Sequence, residues 1–79
     1  MVIDDPGGAY YAGLIHERRA KAQLRRGGPG AGFAAYDALT DAMDWYQKAE
    51  GLRPPGNDDA VLRWNACVRI FRAHPSIQP

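Results

Sequence analysis

The chain has little of what active sites are made from. Its 79 residues include one cysteine and two histidines. A single thiol excludes an internal disulfide framework and fits a reducing compartment or a free buried cysteine. His16 opens the run HERRAKAQ, which has no second histidine four residues on, so the zinc-protease helix is absent. No other pair of soft ligands recurs at metal spacing. A Ser-His-Asp set cannot be assembled from so few candidates. No catalytic, metal-binding or cofactor-binding residue is assigned, the chain is not read as an enzyme, and no small-molecule substrate is expected.

Charge of one sign is lacking as well. The formal net charge is +1, so no overall field draws the chain to nucleic acid or to an anionic membrane. Long hydrophobic runs are missing, and nothing approaches the length of a membrane span. The acidic start, MVIDDPGG, is unlike the basic opening of a signal peptide. The expected location is cytoplasmic. Strand-like alternation of apolar and polar residues is also absent, which leaves the helix as the regular element.

What is present suits a small globular domain. Apolar residues make up 46% of the chain, too many for a wholly disordered one. A single domain of this size buries only roughly 60% of the surface its unfolded form exposes, so it is marginally stable. Basic charge that is mostly arginine, with plentiful alanine, glycine and proline, fits a GC-rich bacterial genome.

The pattern predicts an all-α fold of three helices. Residues 1–7 read as a loose end. Helix 1 is expected over 8–26, rich in Ala, Leu, Arg, Lys and Gln and free of internal proline. Its apolar stripe is read through Tyr11, Leu14, Ile15 and Ala22, and its polar face through Glu17, Arg18, Arg19, Lys21, Arg25 and Arg26. The run GGPGAG, Gly27–Gly32, stops that helix and connects it to the next. Helix 2 is expected over 33–52, with Phe33, Tyr36, Leu39, Met43 and Tyr46 on one stripe, widened by Ala35, Ala38, Ala42, Trp45 and Ala49. So broad an apolar arc suits a middle helix. Helix 3 is expected over 57–73, with Val61, Trp64, Val68 and Phe71 as its stripe and Cys67 beside it. His74-Pro75 ends it, and 74–79 form a tail. The expected core is thus Tyr11, Leu14, Ile15, Tyr36, Leu39, Met43, Tyr46, Val61, Trp64, Val68 and Phe71.

Four features invite a functional reading. Between Glu17 and Arg26 five cations stand against one carboxylate, so Arg18, Arg19, Lys21, Arg25 and Arg26 form a possible phosphate-facing surface. The favoured reading has Arg18, Lys21 and Arg25 facing Asp37 and Asp41 across an antiparallel pair of helices, each exposed pair being worth only about 0–1 kcal/mol. The glycine-rich run lacks the preceding strand and the Gly-Lys-Ser/Thr ending of a phosphate loop, and is a connector. Cys67 reads as a small buried hydrophobe. Asn57-Asp58-Asp59 resembles a paired-carboxylate site but reads better as a helix start. Asn57 would cap helix 3, for about 1 kcal/mol, with Asp58 and Asp59 in the first turn, where negative charge is favoured.

The segment Ala42–Phe71 resembles the junction between successive tetratricopeptide repeats. Ala42, Tyr46, Ala49 and Pro54 stand at the spacing of the family's alanine, aromatic, alanine and proline. Small alanines let two helices approach closely, the aromatic fills the gap between repeats, and the proline ends the helix. With one residue inserted in the turn, Val61, Trp64 and Val68 then fall on large apolar positions of a following first helix. Asn65 stands where a small residue is usual, and helix 1 lacks the family's Trp-Leu-Gly-Tyr pattern, so the unit is atypical and incomplete. The resemblance implies a non-catalytic protein-interaction scaffold. The expected partner is a protein or a second copy of the chain, which would cover the face an unfinished array leaves open. The alternative is a nucleic-acid-associated module using the helix 1 arginines.

Overall fold

A computed structural model describes residues 6–52, 56, 58–75 and 77. It contains three helices, α1 (Pro6–Arg26), α2 (Ala31–Leu52) and α3 (Asp59–Ala73). No strand occurs among the described residues. The fold is all-α, a helical hairpin plus one helix, and no helix is long and apolar enough to cross a membrane.

The helix ends follow local chemistry and correct the expected boundaries by about one turn or less. The first helix starts at Pro6 rather than at residue 8, because proline's fixed φ and missing N–H suit a first turn. It ends where Gly27 adopts a φ of 65° and donates to the carbonyl of Gln23, a left-handed cap that glycine adopts without strain. The second helix starts at Ala31 rather than at residue 33, with the carbonyl of Gly30 accepting from Ala34 N–H at 3.0 Å.

The start of α3 differs from the sequence reading. The cap position belongs to Asp58, whose carbonyl accepts from Leu62 N–H at 3.0 Å and whose side chain makes no capping bond to this helix. Asp59 alone supplies acid to the first turn. Asn57, assigned the cap from sequence, lies outside the described residues, as do Arg53, Pro54 and Pro55. At the other end the tail turns back. Ile77 N–H donates to the carbonyl of His74 at 3.0 Å, and the Ile77 side chain is buried against the core.

The three helices pack in the order α1, α2, α3, with α2 in the middle. The pair α1–α2 is antiparallel: Tyr46, late in α2, meets Tyr10 and Gly13, early in α1. Its contact runs along small residues. Ala9, Gly13 and Ala20 of α1 are buried, as are Ala35, Leu39, Ala42, Tyr46 and Ala49 of α2. At Gly13 the helices are so close that a Cβ would stand 2.4 Å from Cε1 of Tyr46. Glycine is required there by the ring.

This close approach overturns part of the expected core. Tyr11 is 61% and Ile15 44% exposed, and Trp64 is 37% exposed. The expected stripe of α1 followed its largest apolar side chains, whereas the buried one follows its smallest, rotated by about half a turn of the helix. Leu39 and Tyr46 are fully buried. Leu14, Tyr36, Met43 and Phe71 are half-buried against that core, with the rings of Tyr36 and Phe71 edge to face at 5.8 Å. Val61 and Val68 are half-buried. Only Ala60 and Cys67 of α3 are buried, so the third helix is the least covered.

Candidate functional site

Among the described residues, one charged side chain is buried. Glu17 stands on the small-residue stripe of α1, one turn after Gly13 and three residues before Ala20, and is 2% exposed. A buried carboxylate needs partners from every side, and all three helices supply them. Tyr46 of α2 donates its hydroxyl to Oε1 at 2.8 Å. Arg63 of α3 reaches Oε2 through Nη2. Lys21, one turn along α1, reaches the same oxygen at 2.8 Å. Cys67, one turn after Arg63, places its Sγ 3.9 Å from Oε1. The Nε of Arg63 is buried without a hydrogen-bond partner.

Electrostatics fix the protonation of this cluster. Burial on its own pushes the Glu17 carboxyl up. The hydrogen bonds from Lys21 and Tyr46 and the charges of Arg63 and Lys21 outweigh it, and hold the group below the ordinary carboxylate range. Burial, and then the neighbouring Glu17, push the Tyr46 hydroxyl upward. The same two causes, in the same order, push the Cys67 thiol up to about 12. Around neutral pH the cluster therefore holds one carboxylate, a neutral phenol and a neutral thiol. A thiolate is the reactive form of cysteine, and burial beside Glu17 disfavours it at Cys67. What the arrangement does is clamp α1, α2 and α3 together.

Sequence reasoning placed Glu17 on the solvated face of helix 1, and the structure corrects this. The signal was its register with Ala9, Gly13, Ala20 and Leu24, legible only once the small residues are taken as the buried stripe. Lys21 pairs with Glu17 through its ammonium while its side chain stays about half exposed. Arg18, Arg19, Arg25 and Arg26 are exposed. The expected ladder from Arg18, Lys21 and Arg25 to Asp37 and Asp41 does not form among the described residues. Instead Arg19, with His16 and Gln23, faces Asp37 and Asp41 across a shallow groove of about 220 Å³.

A second concavity of about 300 Å³ lies between α2 and α3. Tyr46, Ala60, Val61 and Trp64 make its apolar lining, and Gln47, Glu50 and Asn65 its polar one. It is at the small end of ligand pockets. No group of three or more His, Cys, Asp or Glu side chains among the described residues is placed to hold a metal ion. Asp58 and Asp59 are exposed at the start of α3. No protein family model, curated protein or solved structure matches this chain.

Proposed function

We propose that the chain is a non-catalytic protein-interaction or self-association module of tetratricopeptide-like type. The observation that carries this reading is the under-covered third helix. Its partly open groove with α2 presents Val61 and a Trp64 that is 37% exposed, and Leu62 beside them is 61% exposed. Aromatic side chains at the floor of a groove are the usual anchors of protein contacts. The family resemblance is supported by burial at its key positions: Ala42 and Tyr46 are fully buried and Ala49 is 2% exposed. In that reading α3 is the first helix of a second unit, and the α2–α3 groove is where a further helix would lie. Analytical ultracentrifugation of the chain alone, with affinity capture and quantitative mass spectrometry from the native cell, tests it. Either reversible self-association or a stoichiometric partner, weakened by Gln47→Arg at the groove, is the expected result. A chain that is monomeric and partnerless in both measurements overturns the reading.

A second reading rests on the arginines. With the ladder to α2 not formed, Arg18, Arg25 and Arg26 leave one exposed side of α1 basic, as a phosphate-binding surface would be. Titration with DNA and RNA at low and moderate salt separates the two. Binding that weakens steeply with salt supports this reading, and no binding at low salt removes it.

A further inference from the structure

The outer side of α1 sets an aromatic ring in line with cations. Tyr11, Arg18 and Arg25 recur every seven residues, close to two helical turns, so they form one line with steps of about 10.5 Å. Tyr11 is 61% exposed, and Arg18, Arg25 and the adjoining Arg26 are exposed as well. Ile15, one turn after Tyr11, is 44% exposed beside the line. The only carboxylate of α1, Glu17, is turned inward, where it engages Tyr46, Lys21 and Arg63. Among the described residues, Arg18, Arg25 and Arg26 make no ion pair.

We infer that this line binds a single-stranded nucleic acid, with a base stacked on Tyr11 and phosphates farther along the strand held by Arg18, Arg25 and Arg26. The proposal rests on the nucleic-acid reading and names its substrate class. The order of residues along the helix selects this ligand. A duplex presents phosphates but keeps its bases stacked on one another, so it would answer the arginines and leave Tyr11 and Ile15 uncovered. A single strand offers both a phosphate chain and free base faces. An anionic lipid surface calls for an apolar strip along the whole helix with cations beside it. Here the large apolar side chains are confined to the first half of the line and arginines dominate the second. The guanidinium suits the role, because its planar fork meets a phosphate through two parallel hydrogen bonds. Tyr11 to Arg25 spans about 21 Å, room for about six nucleotides of a stacked strand.

Fluorescence anisotropy over a salt series tests this, with a labelled oligouridylate and a DNA duplex of the same length, alongside co-sedimentation with phosphatidylserine vesicles. The single strand is expected to bind more tightly than the duplex, with log K falling against log salt at a slope of about −2, as three phosphate contacts give. Tyr11→Ala should lose about fivefold or more at unchanged slope, and Tyr11→Phe should keep the affinity, because stacking uses the face of the ring. Arg18→Ala and Arg25→Ala should each make the slope shallower by about 0.7. All these positions are exposed, and circular dichroism checks that the variants keep their helices. A duplex bound as tightly as the strand, or a Tyr11→Ala chain that binds like wild type, overturns the stacking line and leaves the nucleic-acid reading standing. Slopes unchanged in both arginine variants place the phosphates elsewhere and overturn it as well. No binding to either nucleic acid at low salt removes both the proposal and the reading beneath it. Binding to the vesicles in place of the strand gives this side of α1 to lipid and refutes the proposal.

Discussion

The hydroxyl of Tyr46 stands 2.8 Å from Oε1 of Glu17, and the ring that carries it lies over Gly13. One side chain of α2 thus meets α1 twice, through a hydrogen bond to a charge and through a contact that only glycine permits. Tyr46→Phe separates the two. The ring is kept and the hydroxyl lost, and a hydrogen bond to a charged group contributes about 1.5–3 kcal/mol. Chemical denaturation should show a loss of about that size with helix content unchanged. A loss of a few tenths or less would mean that Lys21 and Arg63 satisfy Glu17 without Tyr46.

Gly13→Ala and Gly51→Ala should move stability in opposite directions. Alanine is the better helix former at both positions, by up to about 1 kcal/mol. At Gly13 the new methyl would stand 2.4 Å from Cε1 of a fully buried Tyr46 ring, and overpacking of that kind costs about 1–3 kcal/mol. Gly51 has open space around it, so alanine there should stabilise by about 0.5 kcal/mol, the low end because the helix ends at the next residue. Melting temperatures of the two variants measured side by side decide this. Equal shifts would show that α1 and α2 are not so close.

Removing the carboxylate should destabilise the fold and flatten its acid response. Glu17→Gln leaves Arg63 and Lys21 facing a neutral group. Breaking a buried pair costs about 3–5 kcal/mol, and the lower end applies because Arg63 is a third exposed and partly screened by water. The sign of the pH dependence follows from the depressed pKa of Glu17. Its stabilisation is fully present above the unfolded carboxyl pKa and is lost as pH falls through the lower folded value, so wild type should weaken below about pH 5. The stability difference between wild type and Glu17→Gln should shrink on acidification over that window. A difference that stays constant to pH 2 would place the carboxylate in solvent.

Cys67 should resist modification while the chain is folded. It is fully buried and its thiol is pushed up to about 12, so little thiolate exists and reagents cannot reach it. Reaction with a chromogenic disulfide should be slow in buffer and fast in denaturant, and the protected rate should follow global unfolding. A fast native reaction would show that α3 opens away from α2.

Much of the fold was legible in the sequence. Helical spacing with no strand-like alternation marked three helices, and glycine and proline marked their ends, because these signals act within a few residues of the chain. The ends of α2 and α3 at Leu52 and Ala73 follow from such local chemistry, and the starts at Pro6 and Ala31 were missed by a short margin for the same kind of reason. The buried stripe of α1 was not legible. Hydrophobicity ranks Tyr11 and Ile15 above Ala9, Gly13 and Ala20, and only the distance between two helices decides that small size outranks it.

The candidate site divides along the same line. Composition determined that the chain has few residues able to do chemistry, and that its charges are balanced overall. Sequence spacing also set Arg18, Arg19, Arg25 and Arg26 along one helix. Tertiary structure decided where the charges go. It turned Glu17 inward to Tyr46, Arg63 and Cys67, residues far along the chain that no local pattern links to it. It left the arginines outward and opened a groove beside Trp64. A periodic pattern fixes which residues share a face of one helix, but the energy of burying a charge depends on partners from the other two, and those meet only when the chain has folded.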